Sequence, residues 1–286
     1  MSSGSYYVPP SSRWPVLGSL ALGAMMVSIG IKLVYDTGLP FVLVGVAGII
    51  VIMALWFRDV ISESRGGLYD AQMDRSFRWG MAWFIFSEVM FFAAFFGALF
   101  YVRMFTLPWL GGEGAKGVSA LLWPDFVPEW PLMNPPDASI AGPREVFSPW
   151  QLPLVNTLVL VTSSITLTVA HEALKVGYRQ TCRYWLTGTV LLGSCFIAIQ
   201  GVEYYEAYAH YGITLEAGIF GATFFILTGF HGLHVIIGTV ILATMLIRII
   251  KGHFADENHF GFEASCWYWH FVDVVWVGLF IFVYVL

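Results

Sequence analysis

Seven long apolar runs separated by polar stretches dominate the pattern of this chain. Pro15–Ile31 and Leu39–Phe57 carry no charge, and neither do Trp150–Ala170 and Tyr184–Val202. Trp79–Val102 is apolar except for Glu88, and Ala217–Ile247 has two histidines as its only ionisable groups. Ala264–Leu286 holds His270 and Asp273. A bilayer core needs roughly 20 apolar residues per helix, so each run predicts one membrane span. Ala217–Ile247 exceeds a perpendicular span and predicts tilt or extension beyond the hydrocarbon. The expected fold class is an all-α integral membrane protein with seven transmembrane helices.

Composition supports this reading and narrows the function classes. Of the 286 residues, 58% are hydrophobic and only 12% are charged, about half the charge of a soluble domain. An ordinary soluble enzyme is excluded. The net charge of −5 argues against a nucleic-acid partner. Cys182, Cys195 and Cys266 form no CxxC pair, so neither a disulfide framework nor a zinc knuckle is indicated. The opening MSSGSYYVPPSSRW lacks a basic n-region and a small-residue cleavage site, and the first helix is expected to be retained.

Basic residues set the orientation. With the N-terminus inside, Arg13, Arg58, Arg65, Arg75, Arg78, Lys175, Arg179, Arg183, Arg248 and Lys251 fall on the inner side. Lys32, Arg103, Lys116 and Arg144 fall outside, which places the C-terminus outside. Residues 1–57 predict an N-terminal segment with a two-helix hairpin, 58–78 a charged inner connection, and 79–286 a five-helix bundle. The outer segment 106–149, rich in Pro, Gly and Trp, is too long for a simple turn and is expected to cap a surface or meet a partner.

Ionisable groups inside spans are costly and mark candidate sites. Glu88 lies about 14 Å below Trp79 at 1.5 Å per residue, near the bilayer centre. It reads as a proton-handling carboxylate or as a hydrogen-bonded group fixing two helices, and the lack of a second acid in its run favours the latter. Glu203 and Glu206 share a helix face at the outer end of their helix, and read as a solvated end more readily than as metal ligands, with Glu203 also grouped with His231, His234, His270 and Asp273 as an intramembrane packing residue. His231 and His234 also share a face, and the glycines beside them favour packing over metal or haem ligation. His270 and Asp273 share another, as an imidazole–carboxylate pair that offsets its own burial. Arg58, Glu63 and Arg78 with Trp56, and Arg248 with His253, suit phospholipid headgroups, although a positive-inside bias explains the charges equally well. Nucleotide-binding, nucleophile-elbow and HExxH motifs are absent.

Four stretches carry a resemblance. SFRWGMAWFIFSEVMFF (Ser76–Phe92), GVEYYEA (Gly201–Ala207), TGFHGLHVIIGT (Thr228–Thr239) and FGFEASCWYWHFVDVVW (Phe260–Trp276) closely resemble subunit III of the aa3-type cytochrome c oxidases. Trp56–Glu63 and Ser164–Leu174 fit the same family, and the outer segment is closer to bacterial than to mitochondrial members. The resemblance implies seven helices in a two-plus-five arrangement around a V-shaped cleft holding phospholipids. It implies no haem or copper in this chain, with haem a and copper in partner subunits I and II. It further implies packing on subunit I and support of proton uptake into its D-type pathway. Glu88 matches the family's buried carboxylate. Trp56, Arg58, Glu63 and Arg78 match one headgroup-holding group, and Arg248 and His253 a second. The competing readings are a quinol oxidase subunit III and an independent proton-coupled transporter or channel.

Overall fold

The computed structural model describes residues 11–254 and 259–286. The expectation for the N-terminal segment therefore lies outside the described residues as far as residue 10. The described residues are helical, without strands. The long helices are α1 (Trp14–Tyr35), α2 (Leu39–Arg65), α3 (Ala71–Tyr101), α5 (Leu152–Lys175), α6 (Arg179–Glu206), α7 (Gly218–Ile250) and α8 (Phe260–Leu279), with a short α4 (Leu107–Leu110) after α3. All seven long helices are long and apolar enough to cross a membrane.

Each helix outruns its apolar core, because intrahelical hydrogen bonds persist into the polar zone where charged side chains are solvated. The segment 58–78 expected as a connection is helical on both sides of a break at residues 66–70. Gly67 there has φ of 71°, a left-handed conformation that glycine adopts without steric cost. Asp70 then accepts the Met73 N–H at 2.8 Å and starts α3. The run predicted over Ala217–Ile247 is the 33-residue α7, about 50 Å long at 1.5 Å per residue. It extends well past a core of about 30 Å.

The chain divides into two compact units, the first ending at Trp79. In the first, α1 and α2 form a hairpin in which neither helix buries a residue. Gly45 permits their close approach, since a Cβ there would meet the Met25 Cβ at 2.9 Å. The indole N–H of Trp14 donates to Asp59 at 2.9 Å and ties the N-terminus of α1 to the C-terminal part of α2.

In the second unit, α5, α6, α7 and α8 pack in a closed sequence, with α8 returning to α5. The α8 tryptophans set this packing. Trp269 donates its indole N–H to Ser163 at 2.9 Å, and Trp276, seven residues on, donates to Thr157 at 2.9 Å. Both rings are fully buried. The larger spacing of α3 is filled by aromatic rings: Phe91 and Phe95 meet Phe230, and Phe84 stacks on Tyr268. The phenylalanine-rich run FFAAFF thus serves as a packing layer. The outer segment packs on its own unit, with Trp130 against Phe220 and Phe147 against Tyr211 and Phe224. The Arg144 N–H donates to the Tyr211 carbonyl at 2.8 Å. In the same segment the Ser139 N–H donates to Asp137 at 2.8 Å and holds that carboxyl below its ordinary range.

Two glycines make room for Trp269. A Cβ at Gly193 would lie 2.7 Å from its ring, and one at Gly238 would lie 2.9 Å away. Gly238→Ala is expected to destabilise the second unit by about 1–3 kcal/mol through overpacking. Thermal unfolding of the detergent-solubilised protein, followed by tryptophan fluorescence, reads this. An unchanged midpoint would contradict the tight fit.

Candidate functional site

The polar groups inside the second unit are joined helix to helix. Glu88 on α3 and His234 on α7 meet at 2.8 Å between Oε2 and Nε2. The other imidazole nitrogen, Nδ1, lies 2.6 Å from the Phe230 carbonyl. A carbonyl only accepts, so Nδ1 carries the hydrogen. The 2.8 Å contact between Nε2 and the carboxylate is then a hydrogen bond joining α3 to α7, set in a wall of Phe91, Phe92 and Tyr268. The side chains are 12% and 20% exposed for His234 and Glu88 respectively.

His231, one turn earlier, is fully buried, with Nε2 3.1 Å from the Val272 carbonyl. Its ring lies between Phe196 and Trp276. Both histidines of the TGFHGLHVIIGT stretch make contacts to other helices, His231 to α8 and His234 to α3. His270 Nδ1 is 3.3 Å from the Ser164 hydroxyl on α5, and Asp273 lies on the same face of α8, partly buried. Among the described residues no cluster of three or more His, Cys, Asp and Glu side chains is arranged to hold a metal ion.

Glu203 departs from the solvated helix end anticipated for GVEYYEA. It is fully buried and accepts the Tyr284 O–H at 2.5 Å, whereas Glu206 is partly exposed and His210 exposed. The three-residue spacing turned Glu203 inward because the segment following α8 folds as a π-helical turn, Phe280–Val285, which brings the Tyr284 hydroxyl to it. Asn156 and Gln200, which hydrogen-bond at 3.3 Å between α5 and α6, complete this buried group. Uncharged amides within apolar runs were the signal available for them.

The headgroup candidates divide between the units. Trp56, Arg58 and Glu63 lie on the last turns of α2, and Arg78 on the second turn of α3. Glu63 accepts the Tyr69 hydroxyl at 2.9 Å, and Arg78 Nε donates to Asp74 at 2.7 Å. Arg58 is exposed. Arg248 in the second unit is buried, its guanidinium 4.2 Å from the centroid of the Phe254 ring. The His253 N–H donates to the Arg248 carbonyl at 2.9 Å, closing the turn after α7. Arg248 thus anchors that turn and leaves little surface for a headgroup.

Removing one partner of Glu88–His234 strands the other in an apolar wall. In a double-mutant cycle, Glu88→Leu and His234→Phe should each destabilise the protein, and the double variant should cost less than their sum by about 0.5–3 kcal/mol. Strict additivity in the unfolding midpoints would argue against a coupled pair.

The family model described as Cytochrome c oxidase subunit III matches residues 4–134 and 136–286, running through the outer segment with a break only at Pro135. Curated relatives named Cytochrome c oxidase subunit 3 include those of Tetraodon nigroviridis, 38% identical over 284 residues, and of Scyliorhinus canicula and Gadus morhua, 39% identical over 281 and 282 residues. Each alignment covers 98% of this chain and 96% of the relative. With every long helix included in these matches, the chain belongs to the cytochrome c oxidase subunit III family.

Proposed function

We propose that this chain is the non-redox third subunit of a proton-pumping cytochrome c oxidase, packed on subunit I and accompanied by subunit II, which between them carry haem a and copper. The observation that carries the reading is the family match along essentially the whole chain. The site chemistry agrees with it. The intramembrane carboxyl and imidazole groups are engaged in joining helices, which suits a chain that steadies a catalytic neighbour.

The first unit supplies the best lipid-binding surface. Its two helices bury no residue, and a headgroup phosphate near Arg58 and Arg78, with Trp56 at the interface, would add charge pairing to the apolar contact of acyl chains. Glu63 is held by Tyr69 and would meet the cationic part of a zwitterionic headgroup. His253, half-buried at the turn after α7, would supply a second, smaller headgroup contact, with Arg248 anchoring that turn beneath it. The bound phospholipids would preserve subunit I through turnover and support proton entry into its D-type pathway. The ten inner basic residues against four outer ones favour an orientation with the N-terminus on the inner side and the C-terminus on the outer side, which in a bacterial plasma membrane would be cytoplasmic and periplasmic.

Substituting both Arg58 and Arg78 with Ala tests the lipid role in the intact oxidase. At about 1 kcal/mol per basic residue near a lipid surface, phospholipid affinity should fall roughly thirtyfold. Initial oxygen-reduction turnover should stay near that of the parent, while the active lifetime shortens and phospholipid is lost from the purified complex. An unchanged lifetime with unchanged lipid content would remove the lipid role.

A further inference from the structure

The buried group around Glu203 has hydrogen-bonding capacity that its protein partners do not use. Asn156 on α5, Gln200 and Glu203 one turn apart on α6, and Tyr284 after α8 converge at the outer end of the second unit. All four residues are more than nine-tenths buried. Asn156 Nδ2 donates to Gln200 Oε1 and Tyr284 donates to Glu203 Oε1, and Gln200 lies beside the Tyr284 hydroxyl. Three atoms are left without a protein partner: Asn156 Oδ1, Gln200 Nε2 and Glu203 Oε2. In native interiors such groups are almost always satisfied, by protein or by ordered water.

The three atoms are one donor and two acceptors. A water molecule accepts from one and donates to two, so the set matches its hydrogen-bonding pattern. A cavity of about 310 Å³ lies beside the cluster, bounded by Trp130, Phe147, Phe220, Phe224 and Tyr284 itself. Tyr284 is the one residue shared by the cavity wall and the carboxyl group, and stands between them.

We propose that Asn156, Gln200 and Glu203 form an internal water-binding site that exchanges with the outer side through the cavity walled by Tyr284. The bound water completes the junction of α5, α6 and the end of α8. Glu203 is then a ligand-holding residue, distinct from the Glu88–His234 pair in the middle of the membrane.

High-resolution cryo-electron microscopy of the intact oxidase tests this. A water peak is expected about 2.6–3.2 Å from Glu203 Oε2, Gln200 Nε2 and Asn156 Oδ1, and it should be lost in Glu203→Leu. A dry cluster in which Gln200 Nε2 bridges both acceptors would overturn the proposal. So would a peak at the shorter contacts of a metal cation, about 2.3–2.6 Å. Radiolytic hydroxyl labelling of the unmodified complex keeps the test independent of how the variant folds. Bound water should give labelling of Tyr284 at brief exposure, and no labelling there would count equally against the site.

Discussion

Hydrocarbon offers no hydrogen bonds, so a polar side chain within a span is costly unless the protein gives it a partner. That constraint organises the second unit. Trp269 and Trp276 need acceptors, and Ser163 and Thr157 on α5 supply them. Glu88 needs a hydrogen-bond partner, and His234 supplies it from another helix. Because each requirement is met across an interface, the polar residues determine which helices become neighbours. Leucine and phenylalanine then fill the space, since between helices in lipid there is no hydrophobic driving force to select a partner.

The first unit is organised differently. Its two helices touch through Gly45 and Met25 and through Trp14 and Asp59, and they present apolar side chains outward on all other faces. A surface of that kind is solvated by acyl chains or by a neighbouring subunit. The two units thus differ in kind: one carries a core joined by polar contacts between helices, while the other presents an apolar surface.

Much of this was legible in the amino-acid sequence. The seven apolar runs correspond to the seven long helices because hydrocarbon thickness imposes a length that composition reveals directly. Helix ends were less legible. Arg58–Arg65 and Ala71–Arg78 look like a charged connection, yet the helices continue through them, because solvated charge does not disturb the backbone ladder. The histidines at 231 and 234 were readable as packing groups from their glycine neighbours, but their separate directions depend on where Val272 and Glu88 arrive. Glu203 was misplaced because its burial depends on Tyr284, 81 positions away, delivered by a π-helical turn that spacing alone does not signal. Arg248 looked like a lipid-facing cation, and the Phe254 ring that covers it is a matter of how the turn after α7 folds back.

The central claim is that this chain assists an oxidase through contacts and lipid while its partners hold the redox groups. Native mass spectrometry of the complex released from its membrane, followed by gas-phase dissociation of single subunits, tests this most directly. The account predicts that this chain assembles with haem- and copper-bearing subunits and departs at its own mass or with phospholipid attached. Departure carrying haem or copper, or a chain that never assembles with a haem-bearing partner, would contradict it.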